Sequence, residues 1–152
     1  GKDEIETGLN PRAAITRTVV ECLDQLKSKL EMVCQDSTKN EVVSDQDPLV
    51  FFMGDLNEAY VPARIMRGGG YHDCFTALGL PNIPTHPARP SSAREENLPD
   101  RVLDWIFAST HARPVLANVL RNCFYGGRLH PSDHFPVMAV YDVGSASKAR
   151  GR

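Results

Sequence analysis

The chain has 152 residues, 41% of them hydrophobic and 24% charged, with a formal net charge of −2. That length fits one domain with a modest core, and the small net charge excludes a global basic field for holding nucleic acid non-specifically. Four scattered cysteines, Cys22, Cys34, Cys74 and Cys123, lack C-x-x-C spacing; they read as reduced, mostly buried thiols of an intracellular protein, not as a disulfide frame or a zinc site.

Residues 1–9 form a polar leader. Asn10-Pro11 suits a helix start, because Asn caps free amides and Pro fits the first turn. Ile15, Val19, Cys22, Leu23, Leu26 and Leu30 then recur at three- and four-residue steps, which predicts one amphipathic helix over 11–33. A polar surface loop follows over 36–47. Residues 48–53 are nearly all apolar and include Val50, Phe51 and Phe52, the pattern of a buried strand. Residues 57–67 read as a loop with a helical turn, broken by Gly68, Gly69 and Gly70. A short helix is expected over 71–78, ended by Gly79. Five prolines between 81 and 99 predict a long irregular loop, and such loops are more often functional than idle. Strands are expected over 101–108, 115–125 and 135–143, with a turn at Gly126-Gly127 and a disordered tail over 144–152. No apolar stretch approaches the roughly 20 residues that span a bilayer, and the residues ahead of the fold do not read as a signal peptide, which a fragment would have lost.

Two strings carry the chemistry. Gly54-Asp55-Leu56-Asn57 follows an apolar run directly, and Ser132-Asp133-His134 stands just ahead of another. Strand ends that present Asp, Asn and His can build metal-assisted phosphate chemistry. Asp55 can accept a proton from an attacking water or share in metal binding. Asn57, two residues on and on the same side of an extended backbone, can hold the nucleophile or a phosphate oxygen. Alone, Gly54-Asp55 reads as a turn after a strand. His134 can donate a hydrogen bond to developing phosphate charge if its other nitrogen is held. Asp104 lies within Val102-Leu103-Asp104-Trp105-Ile106-Phe107. A carboxylate there is costly to bury unpaired, and His134 is its obvious partner.

In this order, these strings resemble the endonuclease/exonuclease/phosphatase family, the deoxyribonuclease-like metallophosphoesterases. That family carries Gly-Asp-x-Asn, then an Ile-Asp-aromatic-Ile segment, then Ser-Asp-His. The resemblance covers residues 14–142 and matches the second half of the family pattern. It implies an α/β fold: the second half of a four-layer α/β/β/α sandwich, with one mainly antiparallel or mixed sheet of about four strands covered by helices. The domain half would occupy residues 10–143. The first half, with the principal metal-binding glutamate, has no counterpart upstream of Asp55, so it stands as an expected partner.

The resemblance further implies that Asp55, Asn57, Asp104 and His134 are catalytic, with Asp104 orienting His134. Asp133 would contact Mg²⁺, with Mn²⁺ as the alternative ion, since hard cations take carboxylates and keep waters. Asp100-Arg101-Val102-Leu103 imitates a segment of the inositol polyphosphate 5-phosphatases, but their preceding Pro-Ala-Trp is replaced here by Asn97-Leu98-Pro99, which assigns the orienting role to Asp104. Thr85, His86 and Arg89, in the proline-rich loop, flank the substrate in the family pattern. Arg121 and Arg128 bracket the Gly126-Gly127 turn, where they contact a substrate backbone or are simply solvated. Trp105 reads as core, and His72, His111 and His130 as structural or exposed.

The implied function is a Mg²⁺-dependent phosphoesterase cleaving phosphodiesters, of nucleic acid or of a phospholipid headgroup, by in-line water attack, weak or inactive without the first half. The alternatives are a phosphomonoesterase acting on inositol phosphates and, from another class, an inactive fragment or interaction scaffold. Strand residues apolar on both faces further predict a bare sheet face through which the chain self-associates or binds its missing half.

Overall fold

The computed structural model describes residues 10–37, 48–91, 97–124, 126 and 129–143. The leader, the tail and Arg128 lie outside the described residues. Helix α1 (Pro11–Ser37) starts where Asn10 Oδ1 accepts the Ala13 N–H at 3.0 Å, and it runs four residues beyond the expected end. A nucleated helix extends at little cost, and its last turns are exposed at Met32 and Val33.

Five strands and two short helices follow: β1 (Phe51–Asp55), α2 (Val61–Gly68), β2 (Tyr71–Asp73), α3 (Cys74–Ala77), β3 (Asp104–Ser109), β4 (Arg113–Val119) and β5 (Val137–Asp142). The segment expected to be a loop with one turn is thus the helix α2. The short helix expected over 71–78 is instead a strand followed by one helical turn. Pairing with β3 draws Tyr71 to Asp73 into the sheet, and Asp73 then caps α3 by accepting the Thr76 N–H at 2.9 Å. Gly79 follows α3 at φ +69°, a left-handed conformation that glycine adopts freely.

The strands form two antiparallel sheets, β1-β3-β2 and β4-β5, not the single four-stranded sheet expected. The reason is competition for hydrogen-bonding edges. A strand has two hydrogen-bonding edges, and β1 and β2 occupy both edges of β3. After the turn closed by the Ala112 N–H to the Ser109 carbonyl, β4 therefore pairs with β5.

Alternation along β3 divides the core. Trp105 and Phe107 join Leu23, Val50, Met66 and Tyr71 beneath α1, whose Val19 and Val20 pack against the same cluster. Ile106 points the other way, into a second cluster with Cys74, Phe75 and Val119, against which Phe135, Val137 and Tyr141 pack. Both faces of β3 are thus buried by this chain itself. The bare apolar surface of the three-stranded sheet is narrower than expected: its exposed large hydrophobic residues are on β1, where Phe51 is 36% and Met53 68% exposed. The expectation of mostly buried thiols also fails in part: Cys74 is buried, but Cys22 and Cys123 are exposed. No described helix is long and apolar enough to cross a membrane.

Candidate functional site

The antiparallel register of β1 and β3 sets Asp55, the last residue of one strand, directly opposite Asp104, the first of the other. Like charges facing each other across a ladder destabilise a sheet, so this pairing needs a compensating cation or donor. His134 supplies one: its Nδ1 lies 2.7 Å from Asp104 Oδ2. The ladder continues one step past the strands, with the Leu56 N–H donating to the Leu103 carbonyl at 2.9 Å.

Asn57 departs from the extended geometry expected of it. Its φ is +54°, a left-handed conformation that Asn tolerates. The chain turns there, and the Asn57 N–H and Nδ2 donate to the two Asp55 carboxylate oxygens at 2.7 and 3.0 Å. The carboxamide therefore braces Asp55.

His134 is presented by the bend around residues 132–135, where Ser132 Oγ accepts the His134 N–H at 3.1 Å. Four hydrogen bonds tie this bend to the proline-rich segment and, through it, to the start of β3. The Ala88 N–H donates to the Asp133 carbonyl, and the Phe135 N–H to the Thr85 carbonyl. The Thr85 hydroxyl oxygen accepts the N–H groups of both Leu103 and Asp104 at 3.1 Å. Thr85 is 1% exposed. Its hydroxyl acts as a strut that sets Asp104 and the His134 bend in one frame. Nothing in the sequence around Pro84 and Pro87 signals that role.

Arg89, also expected beside the substrate, is engaged within its own loop. Its guanidinium is paired with Asp100 Oδ1 at 2.7 Å and donates to the Leu98 carbonyl, so it closes its own loop. Asp100 is thereby committed to Arg89, while Asp104 is the carboxylate that holds the imidazole. His86 is buried. Its ring centroid lies 4.7 Å from that of His134, and its Nε2 lies 3.9 Å from Asp133 Oδ2.

A cleft of about 340 Å³ opens at this end of the sheet, lined by Met53, Gly54, Asp104, Ser132, His134 and Phe135. Two overlapping residue sets each bring one donor atom per residue within 4.8 Å of the others: Asp55, Asp104 and His134, and His86, Asp133 and His134. Among the described residues these are the His and Asp groups whose donor atoms lie close enough together to share a metal ion. Burial by itself lowers the pKa of His134. The hydrogen bond and charge of Asp104, followed by the charges of Asp55 and Asp133, outweigh burial and hold it above the ordinary imidazole value.

No protein-family model and no curated protein matches this chain. What the site does therefore has to follow from its own geometry. That geometry sets an oriented imidazole and its partner carboxylate, His134 and Asp104, in the wall of the cleft, with Asp55 facing Asp104 across the ladder and a donor oxygen of Asp133 within 4.8 Å of a His134 ring nitrogen. Such a group can bind a divalent cation, accept a proton and donate a hydrogen bond to an anion.

Proposed function

We propose that this chain carries the catalytic end of a metal-dependent phosphoesterase that hydrolyses phosphodiester bonds by in-line attack of water. The observation that carries the reading is the Asp104–His134 pair at 2.7 Å, set against Asp55 on the opposed strand end. With Nδ1–H donated to the Asp104 carboxylate, the protonated ring of His134, which the neighbouring carboxylates favour, can donate from Nε2 to a phosphate oxygen as negative charge accumulates. Asp55, braced by Asn57, is placed to receive the proton of the attacking water or to share a cation. Mg²⁺, held by Asp55, Asp104 or Asp133, would supply Lewis-acid stabilisation of the same charge. On this reading the fold is the second half of an α/β/β/α sandwich, and the first half adds its own metal carboxylate. Nucleic acid and phospholipid headgroups are the substrate classes that fit a diester site.

The test is hydrolysis of bis(p-nitrophenyl) phosphate by the chain and by any longer polypeptide that carries it. Turnover should require Mg²⁺ or Mn²⁺ and stop in excess chelator. Asp55→Ala and His134→Ala should each cost roughly two orders of magnitude or more, the scale of one positioned acid–base or charge-stabilising group. Undiminished turnover in chelator would exclude the reading.

A further inference from the structure

We propose that His86, Asp133 and His134 form a second cation site, one that prefers a nitrogen-seeking divalent ion such as Zn²⁺ or Co²⁺ over Mg²⁺. The donor set is two imidazoles and one carboxylate, each offering an atom within 4.8 Å of the others. Imidazole suits Zn²⁺ and its neighbours, whereas Mg²⁺ takes oxygen ligands and water. The opposed carboxylates Asp55 and Asp104 are the harder set; the His86 set is the softer one.

The distances agree with this choice. At metal–ligand bonds of about 2.0–2.1 Å, adjacent donors of a tetrahedral site lie roughly 3.3 Å apart. His86 Nε2 and Asp133 Oδ2 are 3.9 Å apart, so a small side-chain rotation closes the pair on an ion. The frame is already fixed, because the Ala88 and Phe135 amides bond the two ligand-bearing segments to each other.

The outer shell is in place too. Asp104 Oδ2 engages His134 Nδ1 at 2.7 Å, which leaves Nε2 as the remaining donor of that ring. A metal-bound imidazole most often has this arrangement, with a carboxylate behind it. Asp133 is 37% exposed at its side chain while that of His86 is only 10% exposed. An ion there would rest on a buried imidazole and face solvent, with three protein ligands and an open position.

One consequence rests on the phosphoesterase reading: an ion that takes His134 withdraws it from the phosphate, so Zn²⁺ would inhibit turnover supported by Mg²⁺. The site itself is tested without activity. The chelator-stripped chain is titrated with Co²⁺ and followed by visible absorption. The expected result is the intense d–d bands of four- or five-coordinate Co²⁺, abolished by stoichiometric Zn²⁺ and untouched by excess Mg²⁺. A thiolate charge-transfer band should be absent, which separates the site from exposed Cys22 and Cys123. His86→Ala should weaken binding about tenfold or more, and Asp55→Asn should leave it intact. Because His86 is buried, Asp133→Asn is the parallel variant, made at a part-exposed position, and it should weaken binding as His86→Ala does. Bands no stronger than those of aqueous Co²⁺, or full affinity in Asp133→Asn, would overturn the proposal. Either result would leave Mg²⁺-dependent hydrolysis standing, and metal-independent hydrolysis would leave this site standing.

Discussion

At the scale of single residues, His134 and Thr85 divide the work of the site. The imidazole proton of His134 is shared with Asp104 and drawn by Asp55 and Asp133, which places its folded-state pKa above the ordinary 6.5. Below that value the ring is charged in both folded and unfolded chains, and its interaction with Asp104 contributes fully to stability. As pH rises through the folded-state pKa the proton is lost and the contribution disappears. In chelator, the chain should therefore be less stable at about pH 9 than at about pH 6, and His134→Gln should remove that component of the difference. Urea midpoints of the two proteins across this range check the sign. A steeper loss of stability toward acid in the parent than in the variant would contradict it. Thr85→Val tests the strut. The change keeps the shape but strips the acceptor from two amides, at Leu103 and Asp104. An unsatisfied buried donor costs about 1–3 kcal/mol, so thermal denaturation should show a loss of about that size.

At the scale of elements, the contact between α1 and the turn after α2 admits no side chain. A Cβ built on Gly69 would lie 2.6 Å from Val20 Cγ1 and 3.2 Å from its Cγ2. Val on a helix has one strongly preferred rotamer and cannot swing aside. Gly69→Ala should therefore push α1 from its seat and destabilise by about 1–3 kcal/mol, the usual cost of overpacking. Val20→Ala should recover part of that loss, so the double-mutant cycle should show favourable coupling. Additive effects would mean that the helix yields without cost. The anchoring of α1 is shared with Tyr71, whose hydroxyl donates to Asp24 Oδ1 at 3.0 Å. Burial, then the hydrogen bond to Asp24 and its charge, push the Tyr71 pKa up to about 12.

At the scale of the whole molecule, β1 is an edge strand. One face carries Phe51, Met53 and Asp55 beside the cleft, and the other carries Phe52 against the core. An apolar edge strand is a template for pairing with another chain. The chain should self-associate through it with rising concentration. Met53→Lys should shift sedimentation velocity toward monomer, at a stability change within roughly 0.5 kcal/mol, because the position is exposed. Equal association of the parent and the variant would place the contact elsewhere.

The sequence by itself determined what depends on short-range chemistry. Asn10-Pro11 settles where α1 begins, but the apolar spacing misjudges the buried stripe: Leu23 is buried and Val19 packs on the core, whereas Ile15, Cys22, Leu26 and Leu30 are exposed. Gly79 ends the turn after Cys74, and the apolar runs locate β1, β3 and β5 to within a few residues. A carboxylate inside Val102-Leu103-Asp104-Trp105-Ile106 needs a partner because burial makes it costly, and the Asp104–His134 contact follows from that need. What required the tertiary structure is everything set by pairing between distant segments. The register that faces Asp55 with Asp104, and the occupation of both edges of β3 that sends β4 to β5, are choices among many pairings of similar local preference. Tyr71 to Asp73 adopt strand geometry only because β3 offers an edge. Thr85, His86 and Arg89 look alike along the sequence, three polar residues in a proline-rich loop. Their separation into strut, metal-group neighbour and loop clasp arises only when that loop lies between β3 and the His134 bend, since hydrogen bonds to amides about fifteen to fifty residues away leave no trace in local spacing.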